Sequence, residues 1–177
     1  MRHSSLIVLI GIVVLAVFVV WKVDDLPLPI GITHTVHLLS PPKDFYHPIV
    51  EEEFNFHERN FTGRYQFAPR YRDIYEVGIS FGEFALPSTF QFKGALQISV
   101  YQRGELLQQK RLSGELTKYY RGTDTSKLER IGLGTFTLDD VARDATRQVV
   151  VTVLEPDQGL LPTEYPYKLY IRVSGSP

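Results

Sequence analysis

Cysteine is absent from all 177 residues. That excludes a disulfide framework, a lipid-modified cysteine anchor, and every mechanism that needs a thiolate. Tryptophan and methionine occur once each, and neither sign of charge dominates, with 19 Lys and Arg against 20 Asp and Glu. A net charge of −1 gives no whole-molecule field to draw in nucleic acid, so none is expected as a partner. Repeats of 20–50 residues and low-complexity tracts are also missing. Gly-x-Ser-x-Gly does not occur, and Gly132-Leu133-Gly134 lacks the third glycine and the following helix of a phosphate cradle.

What is present begins with Leu6–Trp21, LIVLIGIVVLAVFVVW, sixteen residues without a charge. As a helix they rise roughly 24 Å. Ser4, Ser5 and the stem of Lys22 extend this toward a hydrocarbon core roughly 30 Å thick. The residues ahead of Asp24 are bulky, unlike the small-x-small site of a cleaved signal, and Trp21 with Lys22 fits an interfacial aromatic and a snorkelling cation. Residues 6–22 are therefore expected to span a membrane. Arg2 and the amino terminus outweigh Lys22, which places residues 1–5 in the cytoplasm and the rest outside it. An extracytoplasmic domain without cysteine points to a bacterial periplasm, hence to an inner-membrane protein with a single pass.

Residues 23–31, VDDLPLPIG, read as a short stiff linker. Residues 32–177 suit one domain, and their aromatic wealth (ten Tyr, eleven Phe) suits pleated sheets. Ile32–Leu39, β-branched and aliphatic, is expected as the first strand, stopped by Ser40-Pro41-Pro42. Val50–Phe56 and Phe61–Phe67 follow as weaker strands. In Asp73–Phe81, Tyr75, Val77, Ile79 and Phe81 alternate with Glu76, Gly78 and Ser80, the period of a half-buried strand. Ala95–Tyr101 and Glu105–Leu112 form a hairpin turning at Arg103-Gly104. Gly114–Lys127 reads as a loop or crossover. Arg130–Leu138, Arg147–Leu154 and Tyr167–Val173 close the pattern, the last with Lys168, Tyr170 and Arg172 outward. Seven to nine short strands without a soluble helix predict an all-β fold, a single β-sandwich of Ig-like or C2-like architecture, with a closed barrel as the alternative.

Candidate chemistry is sparse. His34 and His37 would face opposite ways on a strand, so they are not expected to share an ion, and no metal or cofactor is expected. Asp139, Asp140 and Asp144 lack EF-hand spacing, and a helical turn capped by Asp139 accounts for them. Glu51-Glu52-Glu53 reads as an acidic strand edge that discourages pairing. The most suggestive surface is Arg59–Arg72, RNFTGRYQFAPRYR, because Arg and Tyr anchor protein interfaces. Arg64, Tyr65, Arg70, Tyr71 and Arg72, with the loop cluster Tyr119, Tyr120 and Arg121, are the candidate partner-binding residues.

From Tyr75 to Val173 the chain resembles a loosely defined group of bacterial envelope proteins. The residues that carry the likeness are YEVGISF, the hairpin ALQISVYQRGELL, and Arg130-Ile131-Gly132 ahead of the last strands. Some small anchored proteins of this kind are immunity factors that neutralise toxins acting in the periplasm. The resemblance implies a non-enzymatic binding protein with a protein partner. A structural or assembly subunit of an envelope complex is the alternative, and a hydrolase or carbohydrate-binding domain the second.

Overall fold

The computed structural model describes residues 2–23, 25–26, 28–81, 86–114, 118–121, 127–138, 146–160 and 167–175, with side chains throughout except at 2–9, 118 and 121. Two helices and ten strands lie in these ranges: α1 (Arg2–Lys22), α2 (Ile30–Leu39), β1 (Val50–Glu53), β2 (Thr62–Phe67), β3 (Ile74–Ser80), β4 (Leu86–Pro87), β5 (Ala95–Gln102), β6 (Glu105–Ser113), β7 (Lys118–Arg121), β8 (Lys127–Thr137), β9 (Arg147–Glu155) and β10 (Lys168–Val173). The strands form two antiparallel sheets. One runs β1-β10-β3-β8-β4 with β7 also on β8, and the other runs β2-β9-β5-β6. The mostly β, two-sheet architecture is that of a β-sandwich.

Period-2 patterning decides which side of each strand meets the core. Tyr75, Val77 and Ile79 on β3, and Leu169 and Ile171 on β10, are fully buried against Leu96, Ile98, Val149 and Val151 of the facing sheet. The β5–β6 turn places Arg103 at φ 51° and Gly104 at φ 85°, the paired left-handed conformation of a tight hairpin. On its far side β6 is tied to β8: Gln108 Oε1 accepts from the Thr137 amide at 3.4 Å, and Lys110 Nζ donates to the Thr135 carbonyl at 3.1 Å. Side chains thus cover a sheet edge that would otherwise be open.

The expected first strand over Ile32–Leu39 is a helix instead, so the domain assigned to 32–177 opens on α2, and residues 30 and 31 of the expected linker belong to that helix. Pro29 precedes its first turn, its carbonyl accepts from the Ile32 amide at 2.9 Å, and Ser40 with two prolines ends it. Helical spacing puts Thr33 and His37 on one buried face, and that tertiary contact outweighs the β-branched composition. Strand number also exceeds the expected seven to nine, because β4 lies where no strand is expected and β7 in the stretch read as a loop or crossover. The turn expected at 139–143 lies outside the described residues.

Over the residues with described side chains, no helix is long and apolar enough to cross a membrane. Of α1 these are residues 10–22. Nine large apolar side chains from Ile10 to Trp21 stand exposed there, Trp21 the most at 77%.

Candidate functional site

Of the three buried carboxylates among the described residues, Asp73 and Glu76 organise the polar interior and Asp157 shapes a loop. Asp73, immediately before β3, is fully buried. His37 Nδ1 lies 2.6 Å from its Oδ2, and His34 Nδ1, one helical turn earlier, contacts its Oδ1. The Ile74 amide also donates to Oδ1, at 2.6 Å. An ionised carboxylate only accepts, so each imidazole presents Nδ1–H to it. The His37 ring packs against Phe45 and Tyr71 at centroid distances of 5.2 and 5.4 Å. Beside it Arg72 Nη1 donates to the Leu26 carbonyl at 3.1 Å, and Tyr75 Oη donates to the Tyr71 carbonyl at 2.7 Å. The 71–75 stretch therefore clasps both α2 and the segment that joins it to α1.

The histidines do share a face, contrary to the strand-based expectation, because the segment is helical. They converge on a carboxylate and not on an ion. At 2.6 Å, His37 Nδ1 and the Asp73 oxygen are closer than two ligands of one zinc, which tetrahedral geometry holds roughly 3.3 Å apart. Among the described residues no group of three or more His, Asp or Glu is arranged to hold a metal.

Glu76 lies three residues past Asp73 on β3's Ile74–Ser80 run, on the face turned away from the core, yet it is 1% exposed. Register explains the burial. Arg172 of β10 stands opposite Glu76, and Tyr170 opposite Gly78. Tyr170 Oη donates to Glu76 Oε1 at 2.7 Å, Arg172 Nε to the same oxygen at 3.3 Å, and Tyr120 Oη of β7 to Oε2 at 2.5 Å. The Arg172 guanidinium lies between the rings of Tyr120 and Tyr170, 4.5 and 5.4 Å from their centroids. Gly132 leaves room for this group: a Cβ there would come within 2.6 Å of Glu76 Oε2. Burial, and then the neighbouring Glu76 carboxylate, pushes the Tyr120 hydroxyl up to about 12, and the same two causes push Tyr170 higher. Both phenols therefore stay protonated donors at neutral pH. With both carboxylate oxygens occupied and its phenols locked neutral, the cluster is built to hold the outer face of the sheet together.

At the opposite end from α2, where β5 begins and β9 ends, Thr89, Phe90, Gln91 and Lys93 face Pro156–Gly159 across a cleft of about 500 Å³. Asp157 shapes it. Its Oδ2 accepts from the amides of Lys93 (2.5 Å) and Gly94 (3.3 Å), and its Oδ1 from that of Gly159 (2.6 Å).

The eight sequence-derived candidates disperse over this frame. Tyr65 is buried in the core, its hydroxyl pushed up by burial and then by Glu52. Tyr71 and Arg72 belong to the Asp73 clasp, and Tyr120 to the Glu76 cluster. Arg64 on β2, Arg70 before β3 and Tyr119 on β7 remain exposed. Tyr119 lies in the sheet opposite to that of Arg64. The Arg121 side chain lies outside the described residues. Sequence reasoning missed Asp73, Glu76 and Arg172. Glu76 and Arg172 become a site only through pairing register, and Asp73 only through the packing of α2.

No family model matches the chain, and no curated relative does. A crystal structure of a protein from Sulfurospirillum deleyianum is similar to it with a TM-score of 0.51 at 7% identity, covering 72% of this chain and 98% of that one. At that identity the likeness shows the fold alone.

Proposed function

We propose that this chain is a non-enzymatic, membrane-anchored envelope protein whose sandwich, of the Ig-like or C2-like kind, binds a protein partner. Residues 6–22 are its anchor, with the amino terminus in the cytoplasm and the sandwich in the periplasm. The observation that carries this reading is the exposed apolar surface of α1: a bare helix of this kind in water exposes far more hydrocarbon than a soluble protein tolerates, whereas lipid removes the cost. A binding role is favoured because Asp73, Glu76 and Asp157, the buried acids an enzyme would draw on, are occupied by donors and hold structure together. Arg64 and Arg70, still exposed, and the Phe90–Asp157 cleft at the end away from α2 are the surfaces on offer. Neutralising a periplasm-acting toxin is the sharpest form of this function.

Two measurements test it. Deleting residues 2–22 is expected to release the chain from carbonate-washed membranes, and retention would remove the anchor. Capture with the full chain in mild detergent is expected to return one secreted enzyme whose activity falls on binding. Arg64→Ala with Arg70→Ala should weaken that complex at least tenfold. A stoichiometric set of membrane proteins would make the chain an assembly subunit instead.

A further inference from the structure

The second helix is amphipathic the wrong way round for a helix on a water-facing domain. Its inward face carries Thr33 and His37, buried, and His34 against Asp73. Its outward face carries Ile32, 49% exposed, and Leu39, 82% exposed, two turns apart, and the helix, IGITHTVHLL, has no Lys, Arg, Asp or Glu. A soluble surface helix buries its aliphatic stripe and shows charge to water. Here the polar side is spent on the sandwich and the aliphatic side is left over.

The β5–β6 hairpin presents the same chemistry at the same level. Thr137, which bonds Gln108, is paired with Ile74, next to Asp73 at the end of the sheet that α2 covers. Residues 105–107 therefore run past that end on the side of α2, by roughly 10 Å for three strand residues, about the diameter of a helix. Leu106 and Leu107 are about half exposed there, beside exposed Arg103. Among the described residues, the large apolar side chains exposed outside α1 are Ile32, Leu38, Leu39, Leu106, Leu107 and Tyr119, and all but Tyr119 lie at this end. It is also the end from which α1 leaves, since Val23 is buried and the Leu26 carbonyl is held by Arg72.

Resting on the anchor reading above, we infer that α2 and the β5–β6 tip form a second membrane contact: α2 lies in the plane of the lipid interface through Ile32 and Leu39, the hairpin touches it through Leu106 and Leu107, and the sandwich stands end-on with the Phe90–Asp157 cleft facing away. The occupant of this apolar end is lipid, because the anchor fixes the bilayer beside it and an uncharged aliphatic surface is what the acyl–headgroup boundary accepts.

The chain has no cysteine and a single tryptophan, so depth is readable by position. The full chain carrying Leu39→Cys, Leu107→Cys or Gln158→Cys, each labelled with an environment-sensitive fluorophore, is placed in phosphatidylcholine vesicles brominated high on the acyl chains. Trp21 emission in the same samples reports the anchor. Expected is a loss of half or more of the emission at Trp21, 39 and 107, and none at 158. If Trp21 is quenched but 39 or 107 stays at the level of 158, the second contact is wrong while the anchor stands. Equal quenching at 158 overturns the end-on placement, and unquenched Trp21 overturns the anchor reading together with this inference.

Discussion

His37 and Asp73, 36 positions apart, meet at 2.6 Å inside the protein, and the contact ties the helix after α1 to the central strand of the larger sheet. Strand β3 occupies the middle of that sheet, so whatever holds α2 to Asp73 also fixes the spacing between sandwich and α1.

Asp73→Asn removes the charge while keeping the shape, and it sets an amide N–H₂ against one of the two imidazole N–H groups. It is expected to cost about 2–4 kcal/mol, the range for unpairing a buried charge-assisted group. His34→Ala, at the more exposed partner, should cost about 1 kcal/mol. Urea unfolding of the full chain in detergent measures both. Equal, negligible effects would show that α2 is held by apolar packing alone.

In the Glu76 cluster, Glu76→Gln leaves Arg172 buried beside a neutral amide and should destabilise by about 3 kcal/mol. Tyr120→Phe, which strands only one carboxylate oxygen, should cost about 1 kcal/mol. Gly132→Ala is expected to be as harmful as Glu76→Gln, because its methyl displaces the carboxylate itself. A folded, wild-type-stable Gly132→Ala variant would contradict the packing described here.

The phenols set the alkaline limit. Tyr120 is pushed up to about 12 and Tyr170 and Tyr65 are raised as well, so the folded state holds these protons more tightly than the unfolded chain, where tyrosine ionises near 10. The stability they contribute is complete below pH 10; that of Tyr120 is lost as pH rises from 10 through 12, and that of Tyr65 and Tyr170 continues to fall above this range. Absorbance at alkaline pH, followed together with circular dichroism, should show part of the ten tyrosines ionising near 10 and the rest only as the fold is lost. All ten titrating in one wave with the sheets intact would contradict the burial of these hydroxyls.

The apolar run at Leu6–Trp21 and the alternation in Tyr75–Phe81 were legible because each is a local property of consecutive residues. The same holds for the β5–β6 hairpin, whose turn chemistry sits between its own strands. Ile30–Leu39 was not legible: its residues favour strands, and the helix is selected by Asp73, which no window around it contains. The Glu76 cluster was hidden for a related reason. Tyr170 and Arg172 were readable as outward-facing, but that they cover Glu76 depends on Arg172 standing opposite residue 76. A slip of one residue would have turned every one of these side chains into the core.

The hairpin turn offers a test in the other direction. Arg103 adopts φ 51°, a conformation that costs an ordinary L-residue about 1 kcal/mol and asparagine much less. Its side chain is exposed, and none of the interactions described above depends on it. Arg103→Asn should therefore stabilise the chain by about 0.5–1 kcal/mol, and Gly104→Val, at φ 85°, should destabilise it by at least as much. Chemical denaturation with an unchanged slope checks both. A destabilised Arg103→Asn variant would mean that the guanidinium makes a contact worth more than the strain it bears, as the lipid contact inferred for this tip would supply.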